Sequence, residues 1–357
     1  MKKTVFLLAL TSLTMGALFS SCSSNGKSGG NSVNSTITGA GSSFDNPLFS
    51  KMFAVYYDST KTQINYQSVG SGTGISQLTN KTIDFGASDA PMNSKQDSAA
   101  VAPVLHIPIT AGAVVISYNL PDVKDVLKFT PDIIANIYLG KITKWNDPAI
   151  AVVNPDVKLP ATDIVVAHRS DGSGTTAIFT SYLSKVSAEW QGKVGSGTAV
   201  NWLVGLGGKG NEGVSGLIKQ TPGGIGYIEL AYAIQNNIPY ATVQNKAGNF
   251  IVPSIQSVTA AASIDIPADG KILLTNTDAP DGYPIAGFSW VLLYQEQGYG
   301  NRTQAQAAQL VQLLDWMIHT GQQFSADLHY APLSSAAVTV GENLLKSVTY
   351  KGQPILK

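Results

Sequence analysis

The chain has 357 residues, 44% of them hydrophobic and only 13% charged, which excludes a disordered polyelectrolyte and suits about two domains at roughly 100–200 residues each. Lysine plus arginine equals aspartate plus glutamate at 23 each, so the formal net charge is zero. That excludes nucleic acid as the expected partner, since it is normally met by a large positive excess, but leaves room for one small anion held by a few placed donors.

Lys2 and Lys3 form a basic start, and Val5 to Phe19 is an apolar stretch shorter than the about 20 residues a spanning helix needs. It reads as an export signal that is no part of the fold. Leu18-Phe19-Ser20-Ser21-Cys22 follows, and small residues leading into the single cysteine resemble a bacterial lipobox. A lone cysteine makes no internal disulfide, so acylation is the use expected of Cys22, with an ordinary cleaved signal as the alternative. Phe19 is an imperfect residue three places before it. Residues 1–22 are thus expected to be signal and lipobox, leaving an exported protein anchored by lipid at Cys22. Residues 23–35 are dominated by Ser, Gly and Asn and read as a flexible tether reaching about 20 Å.

From Ile37 onward, short apolar runs alternate with segments of helical period, which predicts α/β architecture. Three junctions share one pattern of apolar run, Gly/Ser/Thr loop and amphipathic helix. In the first, Ile37 to Phe44 precedes a helix with Leu48, Phe49, Met52, Phe53 and Tyr56 on one face. In the second, a strand over Ile64–Val69 leads through Gly70-Ser71-Gly72-Thr73-Gly74 into a helix carrying Ile75 and Leu78. In the third, a strand over Ile164–Ala167 leads through His168 to Thr175 into a helix carrying Ile178, Phe179, Tyr182, Leu183 and Val186. Gly205 to Gly216 lacks the ending of a P-loop and is expected to be an exposed or hinge-proximal loop. A C-terminal helix is predicted over Thr303–Thr320, its stripe Leu310, Leu313, Leu314 and Met317, with Gly321 as C-cap.

The loops carry the chemistry. Glycine lets the backbone turn sharply and expose consecutive N–H groups, and the first turn of a helix leaves its own N–H groups unpaired at the positive end of the dipole. Serine and threonine hydroxyls add donors, so such a junction is a ready anion site. One loop alone is as well explained by an N-cap with tight-turn glycines, but three in one chain strengthen the case. The third also holds Arg169, whose fork of donors suits oxyanions. Asp89, at the end of the run Ile83 to Pro91, fits an anion site only if the anion brings a proton to donate, and otherwise reads as a turn residue. No G-x-S-x-G elbow stands between a predicted strand and helix, which counts against a serine hydrolase. His106, His168, His319 and His329 show no metal-ligand spacing and are expected to be surface or packing residues, like Trp145, Trp190 and Trp202.

The strings ITGAGSSF, NYQSVGSGTG, DFGASDAPM, YLGKITKWNDPAI, HRSDGSGTTAIFTSYL, VGLGGKGNEG and GGIGYIELAYA stand in the order and spacing seen in the bacterial phosphate-binding proteins of high-affinity phosphate ABC importers. The resemblance runs from Ile37 to Tyr330. It implies a periplasmic-binding-protein fold, with two α/β lobes joined by a hinge and phosphate in the cleft. One lobe would comprise residues 36–110 plus 284–357 and the other residues 111–283, with Tyr283-Pro284 at the second crossing. Matched position by position, it implies a hydroxyl from Ser43, a backbone N–H from Phe44 and a hydroxyl from Ser71. Arg169 would be the cationic contact, and Ser173, Gly174 and Thr175 would give N–H and hydroxyl donors at a helix start. Asp89 would accept the proton of the phosphate, and Asp171 would hold the arginine. Ser43 stands where the family often has threonine, and His168 where it often has arginine, which would weaken the electropositive rim. Gly72 and Thr73 replace a serine–glycine pair. The implied protein is a monomer that is not an enzyme, needs no cofactor, binds no nucleic acid and hands inorganic phosphate to an ABC permease. A binding protein for sulfate or another tetrahedral oxyanion, or a phosphatase, are the alternatives.

Overall fold

The computed structural model describes residues 36–356, so the expectations for the export signal, Cys22 and the tether lie outside the described residues. Three strand–helix units come first: β1 (Ile37–Gly41) with α1 (Asn46–Thr60), β2 (Ile64–Ser68) with α2 (Ser71–Thr79), and β3 (Phe85–Ser88) with α3 (Ser94–Ala100). Leu48, Phe49, Met52, Phe53 and Tyr56 are all buried, so the stripe read from the sequence is the face that seats α1 on the core. The 15-residue β4 (Val104–Tyr118) follows. After β5 (Lys128–Phe129), α4 (Pro131–Tyr138) and α5 (Pro148–Val153) come β6 (Val165–Arg169), α6 (Gly174–Val186), α7 (Ala188–Lys193), β7 (Leu206–Gly208), α8 (Gly210–Gln220), β8 (Gly224–Glu229) and α9 (Leu230–Gln235). β9 (Thr242–Gln244) and β10 (Phe250–Ile251) join β5 in a small side sheet, and α10 (Ile255–Ala261) precedes β11 (Ala286–Tyr294). The chain ends in α11 (Gln304–Ile318), α12 (Ser335–Lys346) and the short strands β12 (Thr349–Tyr350) and β13 (Gln353–Pro354).

The main sheet has eight strands in the order β2-β1-β3-β11-β4-β8-β6-β7. β1, β2 and β3 are parallel, β11 runs antiparallel to both β3 and β4, and β8 runs antiparallel to β4 and parallel to β6. One strand therefore serves two arms. β4 pairs with β11 from Val104 to Ala113 and with β8 from Val114 to Tyr118. The directions make the strand ends meet. β3 ends at Ser88, opposite Trp290, which itself pairs with Pro108, while β8 ends at Glu229 opposite Val114. The carboxyl ends of β1–β3 and of β6–β8 thus run toward each other over the middle of β4, the place where open α/β sheets hold ligands.

A bulge marks that place. Ser289 pairs with Thr110 while Trp290 pairs with Pro108, leaving Ile109 as the extra residue. Pro108 has no N–H to give a ladder, which suits it to a bulge.

Two elements differ from the sequence expectation. The C-terminal helix stops at Ile318, and Gly321 lies in a 3-10 turn over Thr320–Phe324 instead of capping the helix. There a Cβ would come within 3.2 Å of Trp316, so close packing fixes that glycine. Gly205–Gly216 is not a free loop either. It forms β7 and the start of α8, turning at Gly210 with φ 70°, because pairing with β6 supplies the backbone bonds that its residues do not advertise.

Candidate functional site

Three loops of the first arm and three segments of the second meet at the converging strand ends. In the first loop, Gly41 leaves β1 with φ 145°, and a Cβ there would lie 2.1 Å from the Ala87 carbonyl oxygen, so only glycine lets the loop cross the end of β3. The carbonyls of the next three residues are each held by a tyrosine hydroxyl at 2.6 Å: Tyr66 donates to Ser42, Tyr232 to Ser43 and Tyr330 to Phe44. Ser42 Oγ accepts the Phe44 N–H at 3.0 Å and donates to Asp89 Oδ1. Ser43 Oγ accepts from the backbone and side-chain N–H groups of Asn211, each at 3.1 Å.

Ser71, first residue of α2, accepts the Gly174 N–H at 3.0 Å through its hydroxyl, and the Asp89 N–H lies 3.4 Å from the same atom. Gly72 N–H donates to the Gly172 carbonyl at 2.9 Å. The two glycine loops are therefore in direct backbone contact.

Arg169 is the last residue of β6, where the sequence had suggested a loop, and it is only 3% exposed. Its Nε and Nη2 donate to the two oxygens of Asp171 at 2.7 and 2.6 Å, a bidentate pair, and Nη1 reaches Thr175 Oγ1 at 3.5 Å. Burial works against the guanidinium charge, but the hydrogen bonds and charge of Asp171 outweigh it and hold the Arg169 pKa above its usual value. For Asp171, burial pushes the pKa up, and the Arg169 bonds and charge overcome this and hold it low. A rigid, permanently charged fork results. His168 turns away from this cluster and stacks on Trp202, ring centroids 4.8 Å apart, with Nδ1 against the Arg169 carbonyl.

Ser173 caps α6 through an acceptor bond from Thr176 N–H at 3.0 Å, so its hydroxyl is used locally. Gly174 has no room for a side chain, since a Cβ would lie 2.6 Å from the Asp89 nitrogen. Thr175 Oγ1 donates to Asp89 Oδ2 at 3.3 Å and accepts from Asn211 Nδ2 at 3.2 Å.

Asp89 is the centre on which these groups close. It is 1% exposed, with Ser42 and Ser289 hydroxyls at Oδ1 and Thr175 at Oδ2. Burial pushes its pKa up to about 6, against the pull of Ser42, Ser289, Arg169 and Thr175. The seven other predicted ligand residues (Ser43, Phe44, Ser71, Arg169, Ser173, Gly174 and Thr175) lie in the loops and strand ends around it, with Asp171 behind the arginine. Five further participants carry no local signal in the sequence. Ser42 precedes the predicted pair, and Asn211 comes from the start of α8. Ser289 is aimed by the β11 bulge. Asp45 and Glu229 are buried acids behind the loops. What brings them in is strand pairing across long stretches of chain, which no local window records.

Residues 26–320 match the model of the PBP superfamily domain. The phosphate-binding protein PstS of Xylella fastidiosa is 44% identical over 301 residues, covering 83% of this chain and 81% of that protein. The phosphate-binding protein PstS of Pasteurella multocida is 43% identical over 307 residues, covering 85% and 88%. A solved phosphate-binding protein from Stenotrophomonas maltophilia superposes with a TM-score of 0.65 at 18% identity, covering 85% of this chain and 92% of that one. The fold is the α/β periplasmic-binding-protein fold. The chain belongs to the PBP superfamily and, within it, to the family of phosphate-binding proteins.

Proposed function

We propose that this member of the family binds hydrogen phosphate between the two arms of its sheet and delivers it to an ABC-type importer, without catalysing a reaction. One observation carries the reading: a buried arginine fork, a helix N-terminus and a buried carboxyl group converge where six strand ends meet. The names of relatives above 40% identity support it.

In this reading Arg169, held by Asp171, presents its remaining donors to the anion, and charge-assisted hydrogen bonds of this kind are roughly twice as strong as neutral ones. The N-terminus of α6 adds backbone N–H groups and the positive end of its dipole, and Ser43, Phe44, Ser71 and Thr175 add further donors. Asp89 takes the proton of hydrogen phosphate. Sulfate has none to give and would face the carboxylate with like charge, the kind of mismatch that separates analogues by about 10⁴–10⁵. Residues 36–110 plus 284–357 act as one lobe and 111–283 as the other. The change of pairing partner between Ala113 and Val114, and the Val114 N–H bond to the Ile285 carbonyl at 2.8 Å, support a hinge at the two crossings. The protein works outside the inner membrane as a monomer, tethered by lipid at Cys22.

Calorimetric titration of the delipidated protein with phosphate, and separately with sulfate, tests the reading. Tight phosphate binding with sulfate weaker by several orders of magnitude is expected, and equal affinities would overturn it. The anchor is tested apart from the site. Cys22→Ser should move the protein from the membrane to the soluble fraction while leaving phosphate affinity unchanged, because a flexible tether transmits no strain.

A further inference from the structure

Asp45 occupies the N-cap of α1, a position where an aspartate ordinarily accepts from the helix's own N–H groups, yet it makes no capping bond. Its side chain turns inward and is fully buried. Oδ2 lies 2.5 Å from Ser289 Oγ, and Oδ1 has no hydrogen-bond partner among the described residues. A local rule broken at a functional site calls for a reason.

Counting hydrogens supplies one. Ser289 Oγ is 2.5 Å from Asp45 Oδ2, 3.0 Å from Asp89 Oδ1 and 3.3 Å from the Ser88 carbonyl. The carbonyl accepts, both carboxylates accept when ionised, and a serine hydroxyl has a single hydrogen. Two short contacts to two carboxylates are therefore compatible only if one of the acids keeps its own proton. Asp89 has three hydroxyl donors and feels the Arg169 charge. Asp45 has Ser289 and a contact with Ser42, whose own hydrogen goes to Asp89, and its Oδ1 has no hydrogen-bond partner among the described residues. The proton belongs on Asp45.

We infer that Asp45 is a positioning residue of the anion site: it donates its proton to Ser289 Oγ, which turns the Ser289 hydrogen onto Asp89 and keeps Asp89 an ionised acceptor. The inference rests on the phosphate-binding reading above and adds the device that sets the charge of its key acceptor. The groups facing Asp45 agree with it. Asp89 at the end of β3 and Glu229 at the end of β8 are acids, Tyr66 of β2 and Tyr330 are neutral phenols, and Arg169, the cation of the site, is paired with Asp171. Burial, followed by the Asp89 charge, pushes the Asp45 pKa well up. When Asp45 does ionise at higher pH, the Ser289 hydrogen returns to it. Asp89 then loses a donor, gains a charged neighbour and holds phosphate less well.

The test uses the full chain, with the variants Asp45→Asn, Ser289→Ala and Glu229→Gln. Infrared spectra at neutral pH should show a protonated buried carboxyl that survives Glu229→Gln and disappears in Asp45→Asn. Calorimetry should find that the alkaline loss of affinity expected of wild type is absent from Asp45→Asn. Adding Asp45→Asn to Ser289→Ala should change nothing further, as expected of residues acting in series. No protonated-carboxyl band in Glu229→Gln overturns the inference even if Asp45→Asn fails to fold, and so does an unchanged alkaline limb in a folded Asp45→Asn. Wild type that shows the band but binds no phosphate would instead overturn the functional reading and leave the proton on Asp45 standing.

Discussion

The loops that open α2 and α6 are written in nearly the same residues, Gly70-Ser71-Gly72-Thr73-Gly74 and Gly172-Ser173-Gly174-Thr175, and they are used differently. At α6 the serine stays at home, capping its own helix. At α2 the cap position is Gly70, with φ 88° and no side chain to offer, and the serine one residue later reaches across to the backbone of the other loop. The α6 loop is flanked by the Arg169–Asp171 pair, whereas the α2 loop carries no charge of its own. Identical grammar thus produces a charged cradle on one side and a neutral brace on the other, and the difference lies in the neighbours of each loop.

If that division is right, variants of the charged loop should cost far more than variants of the brace. Arg169→Ala leaves Asp171 partly buried and unpaired and removes the full charge, so phosphate affinity should fall by about 3–5 kcal/mol. Ser71→Ala, which removes one neutral acceptor, should cost about 1 kcal/mol in the same titration. The reverse order would mean that the helix N-termini balance the anion by themselves.

The glycines sharpen the contrast. A Cβ at Gly174 would lie 2.6 Å from the Asp89 nitrogen, whereas one at Gly72 would lie 3.0 Å from the Gly172 Cα. Both neighbours are backbone, but the second needs to move by only a few tenths of an ångström. Gly174→Ala should therefore weaken phosphate by about 2–3 kcal/mol and Gly72→Ala by about 1 kcal/mol, within the usual range for overpacking.

Asp89→Asn, in the acceptor that both loops face, gives the most diagnostic change. The gap between phosphate and sulfate affinities should narrow by at least about tenfold, or roughly 1.4 kcal/mol. An unchanged gap in a folded variant would reduce Asp89 to a turn residue. The anion-free protein supplies a second readout. Because burial raises the Asp89 pKa from 3.8 to about 6, the unfolded chain releases this proton first as pH rises, and wild-type stability falls across that window. Thermal melts should show Asp89→Asn gaining on wild type from about pH 4 to about pH 6 and holding the gain above it.

Much of this molecule is legible in its sequence wherever the signal is periodic or local. The stripes Leu48 to Tyr56, Ile75 and Leu78, and Ile178 to Leu183 are buried as their spacing predicts. The three strand–loop–helix junctions exist, and the predicted ligand residues lie around one carboxyl group. What stayed hidden depends on partners far along the chain. Gly205–Gly216 reads as loose until β6 lends it a strand to pair with. Tyr66, Tyr232 and Tyr330 look like ordinary core aromatics until their hydroxyls are seen on three successive carbonyls. Asp45 looks like an N-cap, and only the bulge that aims Ser289 reveals its other use.

The position of β11 has a consequence for how the chain reaches its native state. It is the strand between β3 and β4, yet it is made after every strand of the other arm. Until residues 286–294 arrive, β3 and the first ten residues of β4 have unpaired edges where their shared neighbour belongs. Non-local closure of this kind raises contact order and slows folding. The first arm is therefore the late-folding one although it is the first to be synthesised, and a chain ending before Ala286 should fail to acquire it. A long-lived open state is also what the export proposed above would require, because a chain that crosses a membrane must do so before its sheet closes.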